Sequence, residues 1–130
     1  CGNGPYAIDT TFPKGKAMAD WLFNIFPSIP YGVFTPTSSC IVPDMLGTVS
    51  GISQQWIYDT GSKDPAYVSF NTPTNLQPAD RCGRAVAADL HVGSSGSTLE
   101  QQEAALEFMF FDLAACVQDD STTPLPPPVN

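Results

Sequence analysis

Two stretches of this chain repeat apolar residues at helical spacing, and three others alternate or run apolar over the length of a strand. Residues 13–26 carry Ala17, Met18, Trp21, Leu22, Ile25 and Phe26 at the i, i+3/i+4, i+7/i+8 positions of one buried helix face. Pro13 suits the first turn, and Pro27 and Pro30 stop the helix. Residues 55–59 (QWIYD) and 66–71 (AYVSFN) read as two strands joined by the turn DTGSKDP, the second antiparallel to a neighbour. Residues 84–92 form a third strand whose apolar start, Ala85–Ala88, predicts burial on both faces and a central place in the sheet. Residues 98–117 are the strongest helix. Ser97-x-x-Glu100 has the form of a capping box, and Leu99, Leu106, Met109, Phe110, Leu113 and Val117 share a face that Phe108 and Phe111 widen. Residues 1–12 read as irregular, 31–42 as a loop with a short strand at 32–35, and 43–51 as ambiguous.

From Gln118 the composition changes. QDDSTTPLPPPVN reads as an extended proline-rich linker or tail, so the pattern gives one α/β domain over 1–117 and a tail over 118–130, leading toward a further module. The predicted fold is α/β, a small mixed sheet with flanking helices and too few strands to cover the second helix on all sides. Direction also pairs two cysteines. A strand rising from Cys82 spans about 33 Å, and a helix returning to Cys116 descends about 27 Å. Both ends then lie at one edge, within reach of the usual Cα separation near ~5.5 Å. Four cysteines allow three pairings. Cys82–Cys116 leaves Cys1–Cys40, and two disulfides imply an oxidising, extracellular compartment.

Charge narrows the function classes. Asp and Glu number 13 against 5 Lys and Arg, and charged residues make up only 14% of the chain. No Lys/Arg cluster exists to neutralise phosphates, which weighs against nucleic acid and anionic membranes. No apolar run reaches the ~20 residues of a membrane span. The single histidine and the absence of a C-x-x-C pair leave structural zinc poorly supported, and no cofactor is implied.

The segment CGRAVAADLHV…LEQQEAALEFMFFDLAACV resembles the C-terminal part of a module of large secreted bacterial proteins, related to the ThuA-like branch of the class I glutamine amidotransferase-like fold. In that branch an antiparallel pair feeds a Gly-Arg-initiated strand that ends near a histidine; QWIYD, AYVSFN and GRAVAADLH stand in those places. The resemblance covers most of residues 13–117 and implies the second half of a flavodoxin-like domain. The parallel β-α units that carry a nucleophile elbow have no counterpart here, and no cysteine sits in such a turn. The resemblance therefore implies fold and a secreted or cell-surface location, and no catalytic residue.

Three sets of side chains are candidates for chemistry. Asp89 and His91 fall on one strand face near the end of the third strand, where open α/β sheets place ligands, and could bind a metal or orient a proton. A hydrogen-bonded structural pair is the competing reading. Trp56 and Tyr58 share a strand face and could stack on a sugar; packing in the core competes. Asp59, Ser62 and Asp64 could supply calcium oxygens, although Asp, Gly and Ser equally make a plain turn. The Gly/Ser run 93–97 before the second helix lacks the lysine and spacing of a phosphate loop. These considerations point to a non-catalytic structural or interaction module, held with a protein partner, its own N-terminal portion or further copies in an extracellular assembly. A carbohydrate-binding module and an enzyme centred on Asp89 and His91 are the alternatives.

Overall fold

The computed structural model describes residues 5–36, 52–89 and 99–114. Five strands and two helices lie in these segments: β1 (Tyr6–Ile8), α1 (Pro13–Ile25), β2 (Val33–Phe34), β3 (Ser53–Asp59), β4 (Pro65–Thr72), β5 (Gly83–Ala88) and α2 (Gln101–Ala114), with a single 3-10 turn at Pro78–Asp80 before β5. The sheet order is β2-β1-β3-β4-β5. Every pairing in it is antiparallel, so the sheet is not mixed.

Among the described residues β5 is an edge strand of this sheet, which corrects the central position expected from its apolar start. Its residues are half-buried or exposed rather than covered on both faces. Alanine explains the misreading, because it counts as apolar in a pattern yet presents too little surface to require burial on both sides. The interior strands are instead β1, β3 and β4. β1 falls in a stretch expected to be irregular, yet Tyr6 and Ile8 are buried while Ala7 between them is not. Three residues are too few to show a period against the surrounding Gly and Pro, and the pairing of β1 with both β2 and β3 holds it in place.

Both helices lie on one face of the sheet. α1 packs on β1, α2 on β5, and the two helices touch. The core between them and the sheet gathers Tyr6, Ile8, Met18, Leu22, Phe34, Trp56, Ile57, Tyr67, Phe108 and Met109. α1 presents the expected face, with Met18 and Leu22 buried and Ala17, Trp21, Ile25 and Phe26 packed at its margin. Gly15 lets the first turn of α1 approach the preceding loop, since a Cβ there would collide with the Asp9 carbonyl oxygen and the Phe12 ring. Gly83 opposes Thr72 across β4 and β5, and a Cβ there would meet the Thr72 hydroxyl.

α2 starts later and buries a different face than its pattern suggests. The Glu100 N–H donates to the Glu103 carboxylate at 3.2 Å and the Glu100 carbonyl accepts from Ala104 N–H, so Glu100 caps the helix. Ser97 lies outside the described residues. The buried face comprises Gln101, Gln102, Ala104, Ala105, Phe108, Met109 and Asp112. Of the expected face, Met109 is buried and Leu106 and Leu113 half-buried, while Leu99 and Phe110 are exposed.

Candidate functional site

Lys14 on α1, Arg84 on β5 and Asp112 on α2 meet in the interior. Lys14 Nζ lies 2.7 Å from Asp112 Oδ1, and the side chains are 1% and 2% exposed. Arg84 Nε lies 2.7 Å from Asp112 Oδ2, again with both side chains 2% exposed. The second contact has the distance of an ion pair without the alignment of a hydrogen bond. The guanidinium also donates to Ser69 Oγ at 2.8 Å and to Asn71 Oδ1 at 3.1 Å, both on β4. Ser69 Oγ in turn accepts the Trp56 indole N–H at 2.7 Å. The guanidinium stands 5.9 Å from the Trp56 ring centre, and Phe12 and Phe108 close against the same indole at 4.9 and 6.2 Å.

One carboxylate thus joins both helices to the edge strand. A charge is tolerated in such a place only when opposite charge and hydrogen bonds replace its water, and Asp112 has a cation on each oxygen. Through these contacts the cluster ties α1, α2 and β5 together. The sequence pattern missed it because Lys14 and Asp112 each read as a solvated helix residue. The available signal was their position: each stands on the arc of its helix that also holds buried apolar residues, Lys14 four before Met18 and Asp112 four after Phe108.

Trp56 is fully buried, so of its two readings core packing holds and the sugar platform does not. The pairing of β3 with β4 shifts register on either side of Ile57, so Trp56 and Ile57 both turn toward the helices and Tyr58 turns the other way. The two aromatics therefore do not share a face, and Tyr58 instead has the Lys63 ammonium 5.5 Å from its ring centre. The exposed aromatics are Phe23, Tyr31, Phe110 and Phe111. Phe23 and Tyr31 meet edge to face at 5.9 Å, and the Tyr31 hydroxyl donates to Asp20, which also holds Lys16 at 2.7 Å. The Lys16 hydrogen bond holds the Asp20 carboxyl below its ordinary range, and burial, then Asp20, push the Tyr31 phenol up.

Asp89 continues the β4–β5 ladder by one step, its N–H donating to the Ala66 carbonyl at 3.0 Å. His91 lies outside the described residues, as do Cys1, Cys40 and Cys116. Cys82 is exposed, with its sulfur unbridged. Asp59 behaves as a turn residue, its Oδ1 accepting the N–H groups of Gly61 at 2.7 Å and Ser62 at 2.9 Å. Among the described residues no group of three His, Cys, Asp or Glu is placed to hold a metal ion. No helix among them is long and apolar enough to cross a membrane.

Tyr67 carries an unusual polar group. Its ring is in the core, its hydroxyl lacks a hydrogen-bond partner among the described residues, and burial pushes its pKa up to about 12. The outer face of α2 shows the opposite mismatch. Phe110 is 61% exposed, Leu99 48% and Phe111 47%. Comparison with protein-family models, with curated proteins and with solved structures finds no match to this chain.

Proposed function

We propose that this chain is a non-catalytic interaction module of a secreted or cell-surface bacterial protein, working within a larger extracellular assembly and meeting its partner through the outer face of α2. The observation that carries the reading is the exposure of Phe110 and Phe111 on α2 and of Leu99 just before it, while the other face of α2 is buried. Large apolar side chains left exposed on a soluble domain favour a protein contact there. The interior supports the same reading, since its charged cluster is enclosed by α1, α2 and the sheet and serves to fix α2 in place. The order of antiparallel pair, Gly-Arg strand and helix is the one feature in keeping with a relationship to the ThuA-like module. Hydroxyl-radical footprinting tests the reading by comparing the chain in its secreted assembly with the isolated 13.9 kDa chain. Phe110 and Phe111 are expected to be protected only in the assembly; equal labelling in both states would sink the reading.

A further inference from the structure

We propose that Lys14 and Asp112 condense to an amide, a covalent bond between two side chains that joins α1 to α2. The proposal goes beyond the interaction-module reading and does not depend on it. Such a bond needs an amine held against a carboxyl carbon, shelter from water, and a cation where negative charge develops. The buried cluster supplies all three.

Packing holds the amine in place. Lys14 Nζ lies 2.7 Å from Asp112 Oδ1. The carboxyl carbon is one C–O bond, about 1.2 Å, from that oxygen. Nζ is therefore within about 4 Å of the carbon it attacks, close to the roughly 3–3.5 Å of a reactive approach. The helix arcs that carry the two groups are fixed in the core, with Met18 buried four residues after Lys14 and Phe108 four residues before Asp112. Reactants fixed in this way meet as if at concentrations on the order of 10⁵–10⁸ M, which favours the amide over its free ends.

Burial removes the water. The two side chains are 1% and 2% exposed. In bulk water, hydration keeps an ammonium and a carboxylate charged. Without it, the neutral amine and carboxylic acid come closer in free energy to the ion pair. The proton that interconverts them has only the 2.7 Å contact to cross. A lysine stripped of water beside a second cation is activated as a nucleophile. Arg84 is that second cation, on the same carboxylate.

Arg84 also stands where charge develops. Its Nε lies 2.7 Å from Asp112 Oδ2, an oxygen that accepts no hydrogen bond. When Nζ attacks, negative charge gathers on Oδ2, and a guanidinium already beside it stabilises that charge without rearrangement. Ser69 and Asn71 hold the guanidinium from β4.

The atoms balance. One proton passes from Nζ to Oδ1, and Nζ then bonds to the carboxyl carbon. A second proton moves from nitrogen to Oδ1, the bond from carbon to Oδ1 breaks, and one water leaves. Oδ2 remains as the amide oxygen. Nothing is oxidised or reduced, and the net charge of the cluster is unchanged because one cation and one anion vanish together. The ion-paired chain is the precursor, and its unfolding in urea reports the ion pairs alone. In the bonded chain α2 cannot leave α1, so a pull on the outer face of α2 passes into α1 through a covalent bond.

The test is the intact mass of the full chain after folding, incubation at neutral pH and reduction. The mass is expected to fall below that of the 13.9 kDa sequence by one water. Trypsin cuts after lysine and arginine but not after an acylated lysine, so the digest is expected to contain peptide 1–16 joined to peptide 85–130. The same chain held in urea is expected to keep its full mass, because there the two groups do not meet. Lys14→Met is expected to keep its full mass as well. A folded parent chain that retains the full sequence mass overturns the proposal. So does a loss of water that maps to other peptides, proceeds equally in urea, or persists in Lys14→Met. The parent chain decides by itself, whether or not the variant folds.

Discussion

The two faces of α2 reverse the usual relation between polarity and burial. The inner face carries Gln101, Gln102 and Asp112, each at most 5% exposed. The outer face carries Phe110 at 61%. On the inner face Gln101 and Asp112 each have something to replace water. The Gln101 carbonyl accepts the Thr35 N–H at 2.6 Å, and Asp112 has Lys14 and Arg84. The outer face carries the exposed rings of Phe110 and Phe111 beside exposed Glu107. Burial here follows from what stands opposite a residue, and hydropathy alone misassigns both faces.

Removing the partner on the inner face should break the contrast most severely. Asp112→Ala leaves two cations enclosed without their carboxylate and is expected to cost about 3–5 kcal/mol in urea unfolding. Replacing all three members together, with Lys14→Met, Arg84→Met and Asp112→Leu, is expected to recover most of that loss, since an apolar set of similar volume needs no compensation. A triple variant as unstable as Asp112→Ala alone would show that the cluster does more than balance its own charges.

Tyr67 sharpens the contrast from the other side, as a buried hydroxyl with no hydrogen-bond partner among the described residues. Its phenol is held neutral to a pKa of about 12, above the ordinary value of 10.0 that it regains on unfolding. Below pH 10 both states are protonated and no stability is lost. As pH rises from 10 through 12 the unfolded state ionises first, and up to about 3 kcal/mol of stability should disappear. Tyr67→Phe is expected to match or exceed the parent at neutral pH by up to about 1 kcal/mol, because it removes an unsatisfied hydroxyl. Much of the alkaline loss should go with it, and denaturant midpoints at pH 8 and pH 11 measure both effects. An alkaline loss unchanged in Tyr67→Phe would place its origin elsewhere, Tyr6 being the next candidate, since burial and Asp59 raise its pKa too.

The smallest effect belongs to the outer face. Phe110→Ser in the dissociated chain is expected to change stability by less than about 0.5 kcal/mol. The same substitution should reduce association measured by native mass. A large loss of stability in the dissociated chain would mean that the ring is covered within the chain itself.

The sequence carried the elements with the clearest signals. The 3.6-residue spacing of Met18, Leu22 and Ile25 between two proline boundaries specified α1, and the strand runs around Trp56 and Tyr67 specified the antiparallel β3–β4 pair, because these signals are local. The candidate sites were less legible. Register shifts on either side of Ile57 separated Trp56 from Tyr58 and placed the indole in the core, and no periodicity announces them. The position of β5 was equally hidden, since a strand's place in a sheet is set by which strands flank it and not by its own residues. By itself the sequence determined where the chain turns helical or extended and that its charge is low and acidic. Tertiary structure decided which residues of α2 are inside, because Lys14, Arg84 and Asp112 lie far apart along the chain and can offset one another's burial only after α1, β5 and α2 have come together.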